Sequence, residues 1–123
     1  MVKGEKMSDY ILYHNPRWGK SRGAVSLLEE NGADFTTVEY LKTPLNKDEI
    51  LSLSKKLGLK PSGFVRKNES DFKENNFSEI LNDDEAMAEA MEKYPKIMER
   101  PIVVKGEKAV IGRPPENVLT LLD

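Results

Sequence analysis

The sequence predicts an α/β (α+β) fold, a mixed four-stranded sheet flanked by helices. Three observations lead there. Strand-like and helix-like segments alternate between Tyr10 and Tyr40, two further strand-like segments flank Gly106-Glu107, and the stretch between these regions reads as helix and loop.

Tyr10-Ile11-Leu12-Tyr13 is short, apolar and β-prone, which predicts a buried strand. His14–Lys20 carries Pro and Gly and reads as a loop. Ala24, Val25, Leu27 and Leu28 then fall at helical spacing, and Asn31-Gly32 is a helix-ending pair. Phe35–Tyr40 reads as a second strand. Strand, helix and strand within about 30 residues form a βαβ unit, so these two strands should run parallel. Thr43-Pro44 breaks the chain. Asn46 followed by Glu49 is a capping signature for a helix carrying Ile50, Leu51, Leu53 and Leu57, which should stop at Gly58.

Residues 62–79 are polar with scattered Phe64, Phe72 and Phe77, and predict short helical turns and loops. Asn82 is expected to cap a helix with Ala86, Met87, Ala90, Met91 and Tyr94 on its apolar face, ended by Pro95. Met87, Met91 and Met98 read as core filler. Pro101–Lys105 and Ala109–Ile111 form a hairpin, and Pro114-Pro115 start a last helix with Val118, Leu119, Leu121 and Leu122 facing inward. The order is that of a thioredoxin-like fold, a βαβ unit plus a C-terminal β-hairpin, with an extra helical segment at about 46–98. Residues 1–8 are expected to be a flexible N-terminal tail, and 9–123 a single domain.

Composition narrows the chemistry. The 123 residues contain no cysteine and one histidine, so disulfides, thiolate metal sites and thiol nucleophiles are excluded and a zinc site has almost no material. No metal is expected. The net charge is −2 with 33% charged residues, which offers no global basic field for nucleic acid. No apolar run is long enough for a signal peptide or a membrane span. The expectation is a cytoplasmic monomer with no nucleic-acid or membrane partner.

The charge that stands out is local. His14-Asn15-Pro16-Arg17-Trp18-Gly19-Lys20-Ser21-Arg22 runs from the first strand into the first helix, where free backbone N–H groups and the positive helix end favour anions. Arg17, Lys20 and Arg22 add charge there. A basic loop that only solvates a helix start fits the spacing equally well. Two further segments carry arginines at strand ends: Glu99-Arg100-Pro101-Ile102-Val103 and Ile111-Gly112-Arg113-Pro114-Pro115-Glu116. In a thioredoxin-like fold Pro101 would be cis and beside the first loop. Arg66 is a third candidate.

These motifs, with Tyr40-Leu41-Lys42-Thr43-Pro44, resemble the glutaredoxin-linked arsenate reductase family in order and spacing, from about Tyr10 to the C-terminus. The resemblance implies an oxidoreductase that uses a cysteine thiolate at the position of Trp18, with glutathione and glutaredoxin completing the reduction of arsenate to arsenite. It places His14 beside that thiolate and assigns oxyanion binding to Arg66, Arg100 and Arg113, with Arg66 in the more loosely matching surroundings Gly63-Phe64-Val65-Arg66-Lys67.

Trp18 departs from that pattern, and Gly19 replaces a small polar residue. An indole cannot exchange thiols, and a methionine thioether forms no mixed disulfide. Trp18 is expected to plug or cover the pocket, or else to stack on a ligand or on Arg17 or Arg100. His14 is either a structural hydrogen-bonded histidine or an anion contact. The expected function is that of a degenerate family member with no bound cofactor, retaining an arginine-lined site for arsenate, phosphate or sulfate, for glutathione, or for a protein partner. One alternative is an active arsenate reductase that takes glutathione as an external thiol. Another is an RNA-polymerase-binding regulator of a related thioredoxin-fold family, although Trp18 and Ser21 cannot form that family's redox switch.

Overall fold

The computed structural model describes residues 10–14 and 19–121, with the backbone alone at positions 14 and 19–21. The expected tail at 1–8 and the loop residues Asn15–Trp18 lie outside the described residues. The chain divides into two compact units, one built from the residues up to Tyr40 with those from Arg100 onward, the other from Leu41–Glu99.

The first unit contains the sheet. Strand β1 (Tyr10–His14) leads through helix α1 (Gly19–Glu30) to β2 (Phe35–Glu39), and the hairpin β3 (Ile102–Lys105) and β4 (Lys108–Ile111) completes it. The strand order is β2-β1-β3-β4. β1 pairs with β2 in parallel and with β3 antiparallel, as the βαβ reading and the hairpin reading require. Gly106 makes the hairpin turn at φ 60°, in the left-handed region where a Cβ is disfavoured.

Burial follows the two periodicities. Tyr10 and Leu12, two apart on β1, share a core with Val103 of β3 and with Ala24 and Leu28, four apart on α1. After α1, Gly32 at φ 70° lets the Gly32 and Ala33 amides donate back to the carbonyls of Glu29 and Leu28.

The last segment differs from its prediction. Pro115–Leu121 is a 3-10 helix rather than an α-helix. Pro114 and Pro115 contribute no N–H, and the Asn117 amide closes a tight turn onto the Pro114 carbonyl. With three residues per turn, Val118 and Leu121 are buried on one side and Leu119 faces solvent. Leu122 lies outside the described residues. The Leu121 carbonyl accepts hydrogen bonds from the Tyr10 hydroxyl at 3.3 Å and from Lys105 Nζ at 3.2 Å, and Lys105 Nζ also sits over the Tyr10 ring.

The second unit is the extra helical segment. Helix α2 (Lys47–Leu57) starts in the capping box expected at Asn46 and Glu49 and ends at Gly58, φ 70°. Short turns follow, among them helix α3 (Ser70–Glu74), before helix α4 (Asp84–Lys93) packs against α2. The cap of α4 is Asp83, not Asn82 as expected: Asp83 accepts from the Ala86 amide, and its carboxylate also suits the positive end of the helix. The core of this unit is built from Ile50, Leu53, Phe64, Phe72, Met87, Met91, Ile97 and Met98, all buried. Phe72, Phe77 and Tyr94 form a run of edge and tilted ring contacts. Lys47 bridges the two long helices, with Nζ 3.1 Å from Glu85 and 3.2 Å from Glu89. No helix among the described residues is long and apolar enough to cross a membrane.

Candidate oxyanion site

Within the first unit, three chain segments meet at one end of the sheet. β1 ends at His14, one residue past the Tyr13–Ile102 pair. β3 begins at Ile102, directly after the cis peptide Arg100–Pro101. β4 ends at Ile111, opposite Ile102, and the Gly112 amide extends the ladder by donating to the Pro101 carbonyl at 2.8 Å. Arg100 and Arg113 therefore lie one residue beyond a closed pair, at the same open end of the hairpin. A second cis peptide, Arg113–Pro114, follows at once; the sequence reading had not singled it out.

Close packing fixes this end. A Cβ on Gly112 would sit 3.1 Å from Pro101 Cγ and 3.4 Å from Val118 Cγ2, so only hydrogen fits without displacement. A Cβ on Gly23 would fall 2.9 Å from Pro115 Cγ, so the second turn of α1 lies hard against the segment after Arg113. Arg22, exposed, is the residue before that contact. The Asn117 side chain ties the same turn, donating through Nδ2 to the carbonyls of Ile111 at 3.0 Å and Arg113 at 3.2 Å. Sequence reasoning missed Asn117. Its type is a signal in retrospect, because Asn next to a Pro-Pro turn is a common backbone-bonding residue.

Arg100 is the buried charged side chain among the described residues, only 5% exposed, and its Nε is sealed from solvent. A guanidinium stays protonated even when buried, so its charge acts at full strength in a low-dielectric setting. Arg113 is half-buried. Two cations on one hairpin end, one of them buried, are groups of the kind that could attract an anion; neither can accept a proton or act as a nucleophile. Trp18 lies outside the described residues, as do the side chains of His14 and Lys20.

Arg66 belongs to the second unit. It sits where residues 64–66 run beside 97–99: Val65 bridges Met98, the Arg66 amide donates to the Ile97 carbonyl, and the Glu99 amide donates to the Phe64 carbonyl. Its guanidinium lies between two carboxylates, with Nη1 3.0 Å from Glu69 Oε2 and Nε 3.7 Å from Glu99 Oε1. Neither glutamate was a sequence candidate, though an Arg and a Glu three residues apart are a recognisable pairing in a helical turn. No group of His, Asp and Glu among the described residues could hold a metal ion.

Comparison with known proteins identifies the frame. The ArsC family model matches residues 13–121. The chain is 45% identical to the uncharacterized protein YfgD of Escherichia coli strain K12, over 90% of this chain and 94% of that protein. It is 39% identical to an arsenate reductase of Neisseria meningitidis, over 94% of this chain and the full length of the relative. In three dimensions the arsenate reductase from Vibrio cholerae superposes with a TM-score of 0.88 at 39% identity, covering 92% of this chain and 97% of the other.

Proposed function

Because the chain belongs to the ArsC family, we propose that it binds a tetrahedral oxyanion of the arsenate class at the Arg100–Arg113 end of the sheet, and that it does so without thiol catalysis. The observation that carries the reading is the pairing of a buried Arg100 with Arg113 across the Pro101–Gly112 hydrogen bond. Arg22 adds a charge in the first turns of α1. The chain has no cysteine, so the nucleophile that the resemblance places at Trp18 is absent. In this reading Trp18 covers the site, and His14 contacts the anion or orders the loop.

Isothermal titration with arsenate and with phosphate at low ionic strength tests this. Wild type should bind, binding should weaken with added salt, and Arg100→Ala should weaken it by roughly tenfold or more, as removal of a charge-assisted contact does. Absence of binding by wild type at low salt would dismiss the reading.

The arsenate reductase named among the relatives favours a second reading, in which the bound arsenate is reduced by an external thiol. Glutathione and glutaredoxin would then supply both electrons from solution. A coupled assay with both decides between the two: the first reading expects a rate equal to that without protein.

A further inference from the structure

We propose that Asn117 is a positioning residue for the oxyanion site: its side-chain amide fixes the backbone that carries Arg113. The inference rests on the reading above, in which Arg100 and Arg113 hold the anion, and adds to it the residue that places one of the two arginines.

An arginine in a turn is only as well placed as its backbone. The segment Gly112-Arg113-Pro114-Pro115 has few means of holding itself. Gly112 has no side chain, and the two prolines have no N–H. Arg113 therefore follows a residue of wide conformational freedom and precedes two that cannot donate a backbone hydrogen bond.

Asn117 supplies what this segment lacks. The N–H and C=O of one trans peptide point in opposite directions. The Gly112 amide points to β3, where it donates to the Pro101 carbonyl at 2.8 Å. The Ile111 carbonyl of that same peptide therefore points away from β3, on the outer side of β4, which is an edge strand of the sheet. Asn117 Nδ2 donates to it at 3.0 Å, and to the Arg113 carbonyl at 3.2 Å. A primary amide has two N–H donors, so one nitrogen serves both acceptors. The two bonds bracket Gly112 and Arg113, and hold the Arg113 Cα from the strand side and from the proline side alike.

The clamp is itself anchored. The Asn117 backbone amide donates to the Pro114 carbonyl at 3.0 Å, and Thr120 Oγ1 donates to the Asn117 carbonyl at 2.9 Å. The next residue, Val118, is fully buried. A guanidinium grips an oxyanion best when its fork is aligned, so a small turn of the Arg113 backbone weakens binding without removing any charge. Arg100 precedes β3, on the other strand of the hairpin, and its placement does not depend on the Asn117 amide.

Calorimetry with phosphate at low ionic strength gives the affinities of wild type and Asn117→Ala. The arginine Nε–H resonances, assigned with Arg100→Lys and Arg113→Lys, report which arginine responds to phosphate. In wild type both should shift. Asn117→Ala should bind phosphate roughly fivefold more weakly, within the range of coupling inside one hydrogen-bond network, and should lose most of the shift at Arg113 while keeping that at Arg100. Circular dichroism establishes that each variant is folded. Should Asn117→Ala fail to fold, Asn117→Ser, which keeps one donor, is measured against the same expectations. A folded Asn117 variant with wild-type affinity would overturn the inference. So would a loss of response at both arginines alike, the result of a merely structural role, or a wild type in which phosphate moves Arg100 but not Arg113. Each of these leaves oxyanion binding by wild type intact. No phosphate binding by wild type at low salt would overturn the underlying reading, and the inference with it.

Discussion

The amide of Gly112 donates to the carbonyl of Pro101 at 2.8 Å, and the absent side chain of Gly112 leaves room for the Pro101 ring. This one contact sets where both Arg100 and Arg113 leave the hairpin. Replacing Gly112 by Ala forces a methyl to 3.1 Å from Pro101 Cγ and 3.4 Å from Val118 Cγ2, both in buried surroundings. Gly112→Ala is expected to lower stability by about 1–3 kcal/mol, the range for overpacking a tight site. Urea unfolding measures this, and titration of the same variant should show weaker oxyanion binding.

Asn117 should matter more than its half-buried position suggests. Its Nδ2 serves two carbonyls, those of Ile111 and Arg113. Asn117→Ala is expected to cost about 1–3 kcal/mol, because both acceptors lose their donor. Asn117→Asp should be worse than Ala, since a carboxylate would turn acceptor oxygens toward two carbonyls. Thermal melts of the two variants give the order directly.

Restoring a thiol tests how much of the site survives. With Trp18→Cys, arsenate reduction in the presence of glutathione and glutaredoxin is expected to rise above the rate without protein, while wild type stays at that rate. An inactive but folded Trp18→Cys variant would mean that the arginine frame no longer presents arsenate to that position.

Lys47 sets an alkaline limit on the helical unit. Hydrogen bonds from its ammonium to Glu85 and then Glu89, helped by the charges of both, hold its pKa above the ordinary lysine value. A group whose pKa is higher folded than unfolded stabilises fully below its unfolded value, about 10.4 for lysine, and loses that contribution as pH rises through the folded value. The melting temperature of wild type should therefore fall more steeply above about pH 10.4 than that of Lys47→Met. All the partners are well exposed, so added salt should narrow the difference.

The elements legible in the sequence were those whose cause is local. The Asn46–Glu49 capping box, the stop at Gly58 and the turn at Gly106 each depend on residues within a few positions, and the βαβ pairing joins two strands that one helix separates. The C-terminal helix was read with the wrong period because Val118, Leu119 and Leu121 suit either helix type. Two prolines and the Asn117 turn decided for 3-10, with Leu119 turned out to solvent. Asn82 and Asp83 are both good caps, and only the backbone geometry chooses between them. In the site, Arg100 and Arg113 were legible because each borders a proline at a strand end. In the other unit, the carboxylate partners of Arg66, Glu69 and Glu99, were not. They are 30 positions apart, and ordinary surface-type residues such as these become partners of Arg66 only once the bridge between Val65 and Met98 exists.

The way the chain is divided has a bearing on how it reaches its native state. Leu41–Glu99 is one continuous stretch, whereas β1 must wait for β3, with Tyr10 paired to Lys105 across most of the chain. Closing so long a loop from an unstructured intervening segment is slow, and prior compaction of that segment shortens it. During synthesis β1 and β2 leave the ribosome long before the strand that flanks β1 on its other side, so half of the central strand's backbone groups have no lasting partner until the hairpin arrives. The middle of the chain is therefore expected to order first, and the Arg100–Arg113 end of the sheet, assembled from the two outer parts, to be the last region to mature.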